Sequence, residues 1–197
     1  MPTGVAMRDA REQLFDAAER VLLRAGPSAL TSRAVTAEAG CAKGVLHRHF
    51  TDFDAFLAEL VRDRARRIEE RGAALRASAG TGDLVGRLAD VLTGLFESVA
   101  VAIVGLVVSR DGLRARLRRE RPTGVPLLTD AAGVLASYLA AERDLGRLAP
   151  DADVDVLAPT LIGAAHLLFA DRTGPPSDAD AVRRTVAAVV GGVVREG

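Results

Sequence analysis

Residues 31–50 read Thr31-Ser32-Arg33-Ala34-Val35-Thr36-Ala37-Glu38-Ala39-Gly40-Cys41-Ala42-Lys43-Gly44-Val45-Leu46-His47-Arg48-His49-Phe50, and the stretch divides at Ala39-Gly40-Cys41 into two short helical patterns. Leu30, Ala34, Val35 and Ala39 give the first pattern one small apolar face, and Gly40 supplies the left-handed residue that closes it. Thr31 is the expected N-cap of that helix. Cys41 then turns inward as a small hydrophobe. A second helix opening near Ala42 or Lys43 buries Val45 or Leu46 together with Phe50, turns Lys43, His47 and Arg48 outward, and leaves His49 partly in the core. A helix pair hinged by a short Gly-containing turn is one way of laying a helix into the DNA major groove; the same pair also occurs in all-α proteins that never meet DNA.

The flanks favour the first possibility. An amphipathic segment from about Arg8 to Ala25 precedes the pair, with Leu14, Phe15, Ala18, Val21 and Leu22 as its stripe and Gly26-Pro27 as its end. Three helices in about fifty residues make a core able to hold a reading helix rigidly. After the pair, Thr51 or Asp52 caps a new helix that opens on Phe53, Phe56, Leu57 and Leu60 and continues through Arg62, Arg64, Arg66 and Arg67 to about Arg71 or Leu75. Asp63, Glu69 and Glu70 interleave with those arginines at helical spacing, as on a solvated, salt-paired face.

The order of a helix, Gly26, Leu30-Thr31-Ser32-Arg33-Ala34-Val35, Ala39 through Phe50, and a long helix opening near Phe53 resembles the TetR-type transcriptional regulators over roughly residues 10–60. The resemblance implies an all-α fold: an N-terminal three-helix helix-turn-helix domain over residues 1–52, and a helical ligand-binding and dimerisation domain over residues 53–197, with 53–75 as the connecting helix. It further implies a sequence-specific regulator of bacterial cytoplasm, nucleoid-associated when bound, that represses at a palindromic operator on double-stranded DNA and is released by a small apolar effector. Four positions depart from the family pattern. His47 replaces a common aromatic, Phe53 replaces a lysine that usually touches a phosphate, and Ala42 and Val45 replace frequent hydroxyl residues.

Arg33 and Lys43 are the expected base-edge readers, since a guanidinium fork matches the O6 and N7 acceptors of guanine and a lysine at a helix start reaches a base or a phosphate. Thr31, His47, Arg48 and the backbone N–H groups near Gly44 are expected phosphate contacts, which fix register. Val45 is placed to meet a thymine methyl.

The whole chain of 197 residues balances 26 Lys and Arg against 26 Asp and Glu. Such a balance argues against a generic polyanion binder and requires any basic surface to be local, with Arg33, Lys43 and Arg48 together and Asp9, Glu12, Asp16 and Glu19 mostly on the first helix. A single cysteine permits no intramolecular disulfide and is compatible with a reducing compartment. The opening residues lack a hydrophobic h-region, so no secretory signal is expected. The longest apolar run, Val99 to Val108, is about half of what spans a bilayer and reads as a buried helix, with no membrane partner.

Ala77 to Gly82 reads as a linker, and Asp83 to Val108 as one strongly apolar helix carrying Leu84, Leu88, Val91, Leu92, Leu95, Phe96, Val99, Ile103 and Leu106. Arg110 to Pro126 should hold a short helix and a loop. A helix from about Leu127 to Asp144 ends at Gly146, and Asp151-Ala152-Asp153 opens the next, where Pro159 should delay the start or kink it. The last two helices, roughly Val154 to Ala170 and Asp178 to Val194, are joined by Thr173 to Ser177. Val182, Val186, Val189, Val190 and Val193, beside Leu161, Ala164, Ala165 and Leu168, are the expected interface of a homodimer built as a four-helix bundle; the competing reading packs these stripes only within the subunit.

Phe96, Ile103, Val104, Leu128, Leu135, Tyr138, His166 and Phe169 are the expected lining of an effector pocket, with Glu97, Ser98, Tyr138 and His166 as its orienting polar groups. With no Trp and one Tyr, an aromatic cage for a flat cation is hard to build, so an aliphatic or neutral polyketide-like effector is expected. No Gly-rich phosphate loop, helix-spaced His-Glu-His set or cysteine cluster is present, and His47 and His49 point to different helix faces. No enzyme, metal or cofactor is expected. The alternative function is an all-helical carrier of apolar small molecules with weak or no DNA binding.

Overall fold

The stripe Leu14, Phe15, Ala18, Val21 and Leu22 is buried along α1 (Thr3–Ala25). The computed structural model describes residues 3–42, 44–97, 99–170 and 178–195, and among these there is no strand, only an isolated bridge between Leu148 and Val194. After α1 come a 3-10 turn (Pro27–Ala29), α2 (Ser32–Glu38), α3 (Gly44–His49), α4 (Phe53–Ala77), α5 (Leu84–Phe96), α6 (Ala100–Ser109), α7 (Asp111–Arg118), α8 (Leu128–Asp144), α9 (Val154–Ala170) and α10 (Ala179–Val190).

These helices form two compact units: residues 1–63 with 102–124, and residues 64–101 with 125–197. The division differs from the expected boundary after residue 52, because the first part of α4 and all of α7 pack with the N-terminal helices.

In the first unit Phe15, Phe50 and Phe56 form a mutually touching aromatic cluster, with Phe50 edge-on to Phe56 at 5.0 Å. Ile103, Leu106, Leu113 and Leu117 are buried from α6 and α7. Ion pairs hold α7 and its flanks to α4. Arg110 Nε donates to Asp54 Oδ1 at 2.6 Å, Arg116 Nη2 to Asp52 Oδ2 at 2.7 Å, and Arg62 Nε to Glu120 Oε2 at 2.8 Å. The Arg110 guanidinium also lies over the Phe53 ring, 5.1 Å from its centroid.

The single helix expected from Asp83 to Val108 is in fact two. α5 stops at Phe96, where the Glu97 N–H still bonds to the Thr93 carbonyl, and α6 restarts at Ala100. Hydrophobic period does not register this break, because Phe96, Ala100, Ala102, Ile103 and Val104 are buried on both sides of it. Pro159 lies inside α9, which nevertheless begins at Val154, so the helix does not start late. Its ring removes only the bond to the carbonyl of Asp155, itself an exposed residue.

The second unit packs α5, α8, α9 and α10 around Leu88, Leu92, Leu135, Leu139, Leu161 and Val186. Its helix starts carry acidic caps: Asp83 accepts the Val85 and Gly86 N–H groups at 3.1 Å, Asp153 those of Asp155 and Val156 at 3.2 Å, and Asp178 that of Asp180 at 3.1 Å. Asp83 also pairs with Arg183 of α10. Glu142 of α8 is fully buried, accepts the Gly80 N–H at 3.1 Å and faces Arg147 Nη1 at 3.2 Å, while Arg147 Nη2 donates to the Gly82 carbonyl at 2.6 Å. The turn between α4 and α5 is thereby pinned to the end of α8. Tyr138, one turn before Glu142, is also fully buried, and burial first and the Glu142 carboxylate second hold its phenol well above the usual tyrosine range.

The valine stripe of α10 does not face outward as the dimer reading requires. Val182, Val186 and Val190 are at most 1% exposed, packed within the unit, as are Leu161 and Ala165 of α9. A stripe at helical period says that a face is covered but not by which partner, and here the subunit's own core covers it. The faces left open are different ones. Val156, Thr160, Gly163 and Leu167 run along the exposed side of α9, with Val156 58% and Leu167 77% exposed, and Arg184, Ala187 and Gly191 follow the exposed side of α10 and its C-cap. The expected joining segment Thr173 to Ser177 lies outside the described residues.

Candidate functional site

The helix pair is fixed at each joint by local bonding. Thr31 Oγ1 accepts the Ala34 N–H at 3.1 Å and caps α2. At the other end Gly40 has φ 64°, its N–H bonds to the Ala37 carbonyl at 3.2 Å, and the Cys41 N–H bonds to the Thr36 carbonyl at 3.0 Å. That paired return is a Schellman motif, which needs the left-handed residue that glycine adopts without strain. Arg20 and Arg24 of α1 both reach Glu38 at 2.8 Å, tying the end of α2 to α1. The Arg20 and then the Arg24 hydrogen bond hold the Glu38 carboxyl below its ordinary value.

On α3 it is Leu46 that is fully buried, with Phe50 just after the helix, while Val45 is half-buried. His49 is half-buried, with its ring 6.3 Å from that of Phe50. Gly44, His47 and Arg48 are exposed, as are Thr31 and Arg33 at and in α2. The helix pair therefore presents a hydroxyl, two arginines, an imidazole and an exposed backbone at Gly44, the donor types that bind phosphates and base edges. Lys43 lies outside the described residues. Asp52, just beyond Phe50, accepts the Ala55 N–H at 2.6 Å to start α4, and that bond with the Arg116 guanidinium holds its carboxyl below the usual range. Sequence reasoning missed Arg116 and Arg110 as neighbours of this surface; only the fold brings residues some sixty positions apart together, and no local pattern announces it.

The second unit holds a cavity of about 190 Å³. Ile68, Gly72 and Leu75 of α4, Val91, Leu92 and Leu95 of α5, Ala131, Val134 and Leu135 of α8 and Ile162 of α9 wall it, with Arg71 and Asp90 as its charged residues. Of the expected pocket residues only Leu135 is on this wall. Phe96 instead stacks on Phe169 at 5.7 Å and lies 5.8 Å from His166, whose Nδ1 is buried without a hydrogen-bond partner. Tyr138 is in the packed core, Leu128 is half-buried against it, and Ile103 and Val104 belong to the first unit. Apolar periodicity cannot separate a residue that lines a void from one that fills it. Ser98 lies outside the described residues. Among the described residues no group of three or more His, Cys, Asp or Glu could hold a metal ion.

The family model for bacterial regulatory proteins of the tetR family matches residues 14–60, the segment that runs from the core of α1 through α3 into α4. No curated protein matches the chain. Its fold is similar to that of a putative TetR-family transcriptional regulator from Mesorhizobium loti, at 14% identity with 96% of this chain and 98% of that one covered and a TM-score of 0.73. It is similar also to a TetR-family member from Streptomyces coelicolor A3, at 23% identity, coverage of 92% and 98% and a TM-score of 0.65. A third similar structure is a SmeT–triclosan complex, at 19% identity, coverage of 96% and 93% and a TM-score of 0.67. The segment 14–60 thus matches a family of bacterial regulatory proteins, and the whole chain shares its fold with structures of TetR-family regulators.

Proposed function

We propose that the chain is a DNA-binding transcriptional regulator, a cytoplasmic repressor in which a homodimer holds a palindromic operator through α3 and an apolar small molecule in the second-unit cavity releases it. The observation that carries the reading is the pairing of an exposed Arg33, His47 and Arg48 surface on a capped helix pair with a mostly apolar cavity walled in part by α4, the helix that continues into the first unit. Within it, Arg33 and Lys43 read base edges, Thr31, His47, Arg48 and the Gly44 N–H hold phosphates, and Val45 meets a thymine methyl. The DNA-reading residues fall within residues 1–52, while the cavity and the α9–α10 surface fall within the second unit.

The subunits pair through α9 and α10, on the exposed line of Val156, Thr160, Gly163 and Leu167 of α9 and that of Ala187 and Gly191 of α10, where Val156 and Leu167 offer large apolar side chains and the glycines allow close approach. Two-fold pairing matches an operator of two inverted half-sites about one helical turn apart or slightly more. The cavity sets the effector's size. Its volume is a little above that of an engineered protein cavity of about 150 Å³ that admits benzene. A compact apolar molecule fits, and the triclosan complex of a protein with this fold is in keeping with that class.

Gel shifts with DNA from the chain's own upstream region, followed by transcription of that DNA in vitro, test the proposal. Salt-sensitive, sequence-selective binding that lowers transcription, reversed by apolar compounds that also raise the melting temperature, is the expected result. Binding that raises transcription would overturn the repressor assignment.

A further inference from the structure

The basic residues of the helix-turn-helix, Arg33, Lys43 and Arg48, are outweighed within residues 1–63 by the acids of α1 and the start of α4. Residues 1–63 carry eight Lys and Arg against nine Asp and Glu, whereas residues 102–124 carry six arginines against two acids. The positive balance of the unit therefore rests on the segment around α7. Within that segment Arg110 is committed to Asp54, Arg114 to Asp111 and the Val108 carbonyl, and Arg116 to Asp52. The side chains of Arg118 and Arg119 are exposed and have no hydrogen-bond or ion-pair partner among the described residues.

These two arginines are also held in place. On one side the Arg116 guanidinium grips Asp52, two residues past Phe50 and four past Arg48 of α3; on the other, Glu120 is gripped by Arg62 of α4. The pair sits between two ion-pair tethers on the body that carries α3, so its guanidinium groups are presented with little freedom of the backbone beneath them. Cations at a helix C-terminus also favour the helix dipole, but that role needs one charge near the last turn and draws on α7 alone.

We propose that Arg118 and Arg119 form a second contact with DNA phosphates, outside the helix-turn-helix, and add to the attraction of Arg33, Lys43 and Arg48. The proposal rests on the DNA-binding reading above. It is tested with the full chain, measuring binding to a duplex selected by the wild type from a random pool and to a mixed-sequence duplex, over a range of salt. The double variant Arg118→Gln/Arg119→Gln should bind both duplexes about tenfold or more weaker at moderate salt, with its salt slope reduced by about two and its preference for the selected duplex unchanged. A control that removes two charges from the second unit, Arg76→Gln/Arg195→Gln, should leave the slope within a fraction of one. An unchanged slope in the α7 variant, or an equal fall in the control, overturns the proposal while leaving the DNA-binding reading intact. Failure of the wild type to bind either duplex overturns both.

Discussion

A Cβ built on Gly72 of α4 would lie 2.5 and 2.7 Å from the two methyl carbons of Val134 on α8. The absence of a side chain at 72 is thus what lets α4 and α8 meet beside the cavity that both line. In an ordinary helix interior Gly→Ala stabilises by about 1 kcal/mol. Here overpacking costs about 1–3 kcal/mol, and the clash is with a β-branched side chain that has few alternative rotamers. Gly72→Ala should therefore lower stability in urea denaturation, and Val134→Ala added to it should recover most of the loss. A plain gain in stability for Gly72→Ala would show that the two helices are not held this close.

Glu142→Ala should cost about 2–4 kcal/mol, since it strips the Gly80 N–H and the Arg147 guanidinium of a fully buried acceptor. Arg147 is partly open to water, which keeps the loss toward the lower part of that range. Glu142→Gln retains an acceptor for Gly80 and should lose less. Equal losses for the two variants in chemical denaturation would remove the hydrogen bond to Gly80 from the account.

The pH dependence follows from the carboxylates. Glu38, Asp52, Asp83 and Glu120 all have their folded pKa lowered, Glu38, Asp83 and Glu120 chiefly by arginine hydrogen bonds and Asp52 chiefly by the Ala55 N–H. A lowered folded pKa contributes stability that is present above the unfolded value and is lost as pH falls through the folded one. The melting-temperature advantage of the wild type over Glu38→Gln should be full above about pH 5 and vanish in stronger acid. An advantage independent of pH in this range would contradict the ion-pair assignment.

Tyr138 is the only tyrosine, so phenolate absorbance reports on it alone. Because its folded pKa is raised, it should remain protonated well past the ordinary value near 10 and ionise only as the chain unfolds in alkali, with stability lost as pH rises beyond that value. Titration at the ordinary value in a folded chain would mean that water reaches the hydroxyl.

If the proposed pairing through α9 and α10 holds, association and folding are separable there. Leu167→Glu should give monomers in analytical ultracentrifugation with little change in monomer stability, whereas Val186→Ala should lower stability by about 2 kcal/mol and leave association unchanged. The reverse pattern would restore the valine stripe as the dimer surface.

The helix pair was readable in the sequence because each of its joints is a local event: a hydroxyl three residues before the N–H it accepts, a glycine where the chain must turn left-handed, and Phe50 at the close of α3. The partners of those helices were less so. Val186 and Leu167 are both apolar residues on amphipathic helices, yet one is sealed in the subunit and the other faces out, and nothing in their neighbours along the chain distinguishes them. The same limit applies to the cavity, where Leu135 was expected on the wall and Gly72 was not, since a void is a property of how α4, α5, α8 and α9 pack rather than of any one helix. The pairing of Arg116 with Asp52 across sixty-four positions is a third instance.

Whether α3 reads DNA is tested most directly by equilibrium binding of the full chain to a duplex it selects from a random pool, titrated with salt for the wild type, Arg33→Ala and Arg48→Ala. The wild type should bind selectively and weaken steeply with salt. Arg33→Ala should lose about 1–3 kcal/mol and relax selectivity at one base pair, while Arg48→Ala weakens every sequence alike. A chain that selects no sequence and shows no salt-sensitive binding at low ionic strength would contradict the account.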